Sequence, residues 1–124
     1  MENYERELIK KHINEANYKY FETQSNQIDW ISISSSINIT EEFASKFIKF
    51  LDLEKILIIN QFSEDFFLLH KNKLNWSSIS FLQKLSDEFI LKNVKLIDME
   101  MLNYNNYISK EIKSRLLEND KRNK

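Results

Sequence analysis

The chain repeats itself every 23 residues, and no other feature constrains its fold as strongly. Trp30 and Trp76 lie 46 residues apart, two such periods. Around them Asp29-Trp30-x-x-Ile33-Ser34 matches Asn75-Trp76-x-x-Ile79-Ser80. A second block recurs four times, as Ile39-Thr40-Glu41-Glu42-Phe43, Phe62-Ser63-Glu64-Asp65-Phe66, Leu85-Ser86-Asp87-Glu88-Phe89 and Ile108-Ser109-Lys110-Glu111-Ile112. Self-similarity at a fixed period of this size marks a stacked repeat array. Such arrays act by presenting an extended surface to a partner.

The repeat unit is helical. Glycine and proline are both absent, and tight hairpins need glycine or Asn-Gly turns. Four units are expected at 29–51, 52–74, 75–97 and 98–120, each a pair of short helices. The first helix starts at Asp29, Asp52, Asn75 or Asp98, and the second at Thr40, Ser63, Ser86 or Ser109. All of these are good N-caps, because a side-chain oxygen can accept from an orphan N–H of the first turn. The apolar residue before each second-helix cap (Ile39, Phe62, Leu85) can staple against Ala44, Phe67 or Ile90. Phe43, Phe66, Phe89 and Ile112 recur as the central core position. Residues 3–22 read as one longer amphipathic helix capping the array, with Tyr4, Leu8, Ile9, Ile13, Ala16, Tyr20 and Phe21 on one face. The second unit is the most apolar, with Leu57, Ile58, Ile59, Phe67 and Leu68, as expected for a central repeat covered on both sides. The fold class is therefore all-α: a single domain over 1–124, a small α-solenoid of four helix-pair repeats behind an N-terminal capping helix.

These residues resemble a tandem helical repeat of large DNA viruses, phages and some bacteria, of the form Asx-Trp-x-x-Ile-Ser, then a polar residue often Gln, then Leu-Ser-Glu-x-Phe-Ile. The third unit matches best, from Asn75-Trp76 through Gln83 to Leu85-Ser86-Asp87-Glu88-Phe89-Ile90. The first has Ile37 at the Gln position, the second lacks both the Trp and the Ser of its first half, and the fourth is loosest. The resemblance spans 29–112. It implies a helical repeat and carries no catalytic signature.

The chemistry-bearing residues point away from catalysis. There is no cysteine and no glycine, hence no thiolate metal site and no glycine-rich phosphate loop. His12 and His70 are the only histidines, and neither has a fixed acidic or nucleophilic partner in sequence. Ser34 and Ser80 read as helix hydroxyls bonding back to the preceding turn. Trp30 and Trp76 read as anchors between repeats. No cofactor, no metal and no enzymatic activity are expected. The N-terminus is charged from its second residue and the apolar runs are short, which predicts neither signal peptide nor membrane span, and a cytoplasmic setting (the host cytosol if viral).

Charge offers the candidate site. Net charge is −1, which argues against direct nucleic-acid binding. The starts of the second helices carry Glu41, Glu42, Glu64, Asp65, Asp87, Glu88 and Glu111, and their ends carry lysines such as Lys46, Lys71, Lys92 and Lys95. Helix dipoles alone favour this placement. The functional expectation is an acidic ridge that occupies a basic groove on a nucleic-acid enzyme, with Phe81, Tyr104 and Tyr107 as the alternative contact. The function expected is a freestanding protein-binding inhibitor or adaptor from a virus, phage or mobile element, directed at a host nucleic-acid-processing or defence enzyme. The alternatives are a nucleic-acid binder using the lysine edge and a self-associating structural subunit.

Overall fold

The computed structural model describes residues 1–122, and among them it is all-helical, with ten helices and no strand. The chain divides into two compact units, Met1–Asn60 and Gln61–Lys124. The division falls inside the second expected repeat, between its two helices.

The first unit holds α1 (Asn3–Asn14), α2 (Lys19–Thr23), α3 (Trp30–Ser36), α4 (Glu41–Lys46) and α5 (Leu53–Ile59). The single helix expected over 3–22 is broken. Ala16 sits at φ 56°. Its N–H bonds to the Ile13 carbonyl at 3.1 Å, and that of Asn17 reaches back to His12 at 2.8 Å. This pair of bonds is a Schellman C-cap, which satisfies the last carbonyls of α1 by turning one residue left-handed. Glycine normally takes that position, and a chain without glycine places alanine there. The break lets α2 bury Phe21 independently of α1, which buries Ile9 and Ile13 and leaves Tyr4 exposed. The core of this unit is aromatic: the Phe21 and Phe43 rings meet edge-on at 4.7 Å, and Trp30 stacks on Phe50 at 4.9 Å. Such pairs add about 0.5–1.5 kcal/mol each beyond area burial.

The second unit holds α6 (Glu64–Leu69), α7 (Trp76–Leu82), α8 (Asp87–Lys92), α9 (Met99–Leu102) and α10 (Lys110–Arg122). Phe66, Phe67, Ile79, Phe89, Ile90 and Leu102 form its core. Phe66 stacks on Phe62 at 4.3 Å, and Trp76 lies parallel to Phe89 at 6.2 Å.

Every expected cap forms. Asp29, Asp52, Asn75 and Asp98 accept from the first turns of α3, α5, α7 and α9. Thr40, Ser63 and Ser86 accept from Phe43, Phe66 and Phe89, and Ser109 accepts from Ile112. The helices α3, α5 and α7 each end on a residue with extended backbone, Ile37, Asn60 or Gln83, and an extended connector leads to the next cap; α9 instead ends on Asn103 in the helical region. Such a connector leaves backbone N–H groups without a helical partner, and burying them unpaired costs free energy. A side-chain amide one repeat further on supplies the acceptor. Asn60 Oδ1 takes the Ile39 N–H at 3.0 Å in the first unit, and Gln83 Oε1 takes the Phe62 N–H at 2.9 Å in the second. Asn105, one residue out of this register, instead donates its amide N–H groups to the Ser80 and Gln83 carbonyls, both at 2.8 Å. Ile37 follows helices α1 and α2 rather than a connector, and the same slot is apolar there.

One expectation about the second repeat is corrected. Leu57 and Phe67 are buried, but Ile58 is 63% exposed, Leu68 is exposed and Ile59 is only half-buried. Ile58, Ile59 and Leu68 thus reach the surface rather than lying under a double cover. Helical periodicity explains this. In α5 and α6 two adjacent positions face inward, and the residues that follow them turn out to solvent.

Candidate functional site

The tryptophans are structural anchors. Trp76 donates its indole N–H to the Lys71 carbonyl at 2.9 Å, and Trp30 donates to the Ser25 carbonyl at 3.0 Å. Both acceptors lie five residues upstream, so the same bond recurs in both units. The two repeat serines behave alike as well. Ser80 Oγ donates to the Trp76 carbonyl at 2.6 Å and accepts the Asp98 N–H at 3.0 Å. Ser34 Oγ donates to Trp30 at 2.7 Å and accepts the Asp52 N–H at 2.9 Å. The back-bond is the one expected from sequence. The second bond, to the N-cap residue of the next repeat, has no local sequence signal.

The acidic helix starts divide by role. In the first unit, Glu41 is half-buried and Glu42 is exposed. Glu42 and Thr40 lie beside the Tyr18 hydroxyl, whose pKa is raised, first by burial, against the lowering effect of the Thr40 hydrogen bond. In the second unit, Glu64 is committed to its neighbour. One carboxylate oxygen accepts the Ser86 N–H at 2.6 Å and the other accepts the Ser86 hydroxyl at 3.1 Å. It completes the cap of α8 from α6. Glu88 pairs with Lys92 one turn on, at 2.7 Å. The hydrogen bond, then the opposite charge, lowers the glutamate pKa and raises that of the lysine. An exposed i, i+4 pair of this kind contributes little to stability. Asp65, Asp87 and Glu111 are exposed.

Two of the expected site residues meet in a shallow depression of about 570 Å³ on the second unit. Glu64 and Tyr107 line it, with Phe62, Leu85 and Lys84. The Lys84 ammonium stands 5.1 Å from the centre of the Tyr107 ring, a cation–π arrangement. The Gln61 side-chain amide braces the backbone at Lys84: it donates to the Leu82 carbonyl and accepts the Lys84 N–H, both at 3.0 Å. Phe81 and Tyr104 are exposed and lie outside this lining. They are 23 residues apart and hold one position in successive repeats.

The histidines are packed into the fold. His12 stacks on Tyr20 at 4.2 Å and its ring nitrogen faces the Asn17 amide at 3.1 Å. His70 meets the edge of Phe66 at 4.8 Å, and burial, then the charge of Lys73, lowers its pKa. Among the described residues no group of three or more histidines and carboxylates is placed to hold a metal, and no helix is long and apolar enough to cross a membrane. Surface residues that the sequence reading passed over are Leu69, Leu91 and Val94, all exposed. A comparison of positions 68 and 91, one period apart and both leucine, is the signal that could have found them.

Comparisons of the chain with protein-family models, with curated proteins and with solved structures found no significant match.

Proposed function

We propose that this chain is a helical-repeat α-solenoid that binds another protein and performs no chemistry of its own. The observation that carries the reading is the recurrence of one bond set at one register. Ser34 in the first unit and Ser80 in the second bond to the cap residue of the next repeat, and Trp30 and Trp76 each donate to the carbonyl five residues upstream. The buried side-chain polar atoms of the described residues all have partners. What is left for recognition is the surface: the exposed Asp65 and Asp87 at helix starts, and the aromatics Phe81, Tyr104 and Tyr107. The partner proposed is a protein with a basic groove, such as a nucleic-acid-processing or defence enzyme, and the role is that of an inhibitor or adaptor. The repeat resemblance to viral and phage proteins supports that role and a mobile-element origin. Within the acidic set, Glu64 and Glu88 already have structural partners, so the exposed Asp65, Asp87 and Glu111 are assigned to steering, and the first two, on neighbouring helices, are tested.

The test is affinity capture with the tagged chain from the cells that produce it, then association kinetics of the captured protein at low and high salt. The reading expects a salt-sensitive on-rate that Asp65→Lys with Asp87→Lys slows roughly tenfold or more. Equal association with the variant moves the site to the aromatics. Retention on bare DNA or RNA with no protein captured overturns the reading.

A further inference from the structure

The second unit carries another unusual surface, at the opposite ends of its short helices. Leu68 and Leu69 close α6 and are followed by Lys71 and Lys73. Leu91 and Lys92 close α8 and are followed by Val94 and Lys95. All of these side chains are exposed, Leu69 to 71%. The two helices are neighbours, since the Phe67 ring meets the edge of Phe89 at 6.5 Å. Leu68 and Leu91 hold the same position 23 residues apart, as do Lys71 and Val94. The result is a face on which aliphatic and cationic side chains alternate. No residue in 66–73 or 89–96 is acidic. Glu88 pairs with Lys92 at its border, and the exposed Asp65 and Asp87 stand one turn earlier, at the other ends of the same helices. Dipole complementation explains lysines at helix ends. It does not explain leucines that keep part of their apolar surface in water, Leu69 most of all.

We infer that this face docks an acidic amphipathic helix of a partner protein. Charge selects the sign, because four lysines, Lys71, Lys73, Lys92 and Lys95, surround the leucines. Spacing selects the shape. Packed helices lie about 8–10 Å apart, and residues i and i+7 of a helix are separated by about 10 Å. A helix laid across α6 and α8 would set one apolar side chain over Leu68 and another, two turns on, over Leu91, with its carboxylates toward the lysines. This is the helix-in-groove mode of recognition. The interleaved residues are aliphatic, whereas a single-stranded nucleic-acid platform needs aromatic faces for its bases. The inference does not depend on the acidic and aromatic site proposed above, which involves other residues.

The experiment uses the full chain and a fluorescent synthetic helix with leucine at i, i+3, i+4 and i+7 and glutamate elsewhere. A second peptide carries lysine in place of glutamate, and phosphatidylserine vesicles and single-stranded DNA are run in parallel. The acidic peptide should bind and the basic one should not. Leu68→Asp with Leu91→Asp, and separately Lys71→Glu with Lys95→Glu, should each weaken binding roughly tenfold or more while the circular-dichroism melt is unchanged. If the aspartate pair does not fold, Leu68→Ser with Leu91→Ser takes its place. Failure of the acidic peptide to bind, or equal binding by both variants, overturns the inference. So does binding of vesicles or DNA in its stead, or a self-association that the leucine variants abolish.

Discussion

Replacing Ser80 by alanine should destabilise the protein through a residue one repeat away. The hydroxyl is fully buried in α7, donates to Trp76 and accepts the backbone N–H of Asp98, the N-cap of α9. Alanine removes the acceptor and leaves that N–H without a partner, which costs about 1–3 kcal/mol. Alanine regains about 0.5 kcal/mol as the better helix former. The net expectation is a loss of about 1–2 kcal/mol. Ser34→Ala should lose a similar amount, because Asp52 depends on Ser34 in the same way. Ser35 is the internal control: it is exposed and only donates back to the Ile31 carbonyl, so Ser35→Ala should stay within about 0.5 kcal/mol of wild type. Urea unfolding followed by tryptophan fluorescence and circular dichroism reads all three. If Ser80→Ala proves as stable as Ser35→Ala, the serine-to-cap bond does not hold successive repeats together.

Ala16→Gly should stabilise the protein by about 0.5–1 kcal/mol, since relief of a left-handed alanine outweighs the added freedom of the unfolded chain; thermal melts check it. Ser86→Ala should cost about 0.5–2 kcal/mol as a lost N-cap, and a double-mutant cycle with Glu64→Ala should show coupling of about 0.5–1 kcal/mol, because both act on the start of α8. Asp98 has a lowered pKa, first through the Ser77 hydroxyl and then through the Met101 N–H. A carboxylate depressed in the folded state stabilises it above the unfolded pKa and loses that contribution as pH falls through the folded value. Acid titration of the melting temperature should therefore steepen below about pH 4, and Asp98→Asn should flatten that limb.

How much was legible follows from how local each signal is. The eight caps, the apolar residues before them and the core phenylalanines were readable because each rests on contacts within a few residues. The break at Ala16 was not, because a left-handed alanine carries no mark in a sequence that lacks glycine. The Gln83 slot was visible as a pattern, but its purpose required seeing the Phe62 N–H that it satisfies. The acidic residues read alike in sequence, yet Glu64 serves a cap and Asp65 faces solvent. That difference lies in the placement of α8, which no local window contains. The exposure of Ile58 and Leu68 is not legible from hydrophobicity alone, because an apolar side chain is buried only where its side of the helix meets a neighbour.

The shortness of the helices has a consequence of its own. Those from α3 to α9 have four to seven residues, whereas an isolated helix needs roughly 12–15 to persist in water. None can exist as a free-standing segment, and helicity is lent to each by its neighbours. A peptide covering one repeat should be a coil. Within each unit the amides should exchange with solvent together rather than helix by helix, because no turn can outlive the contacts that hold it.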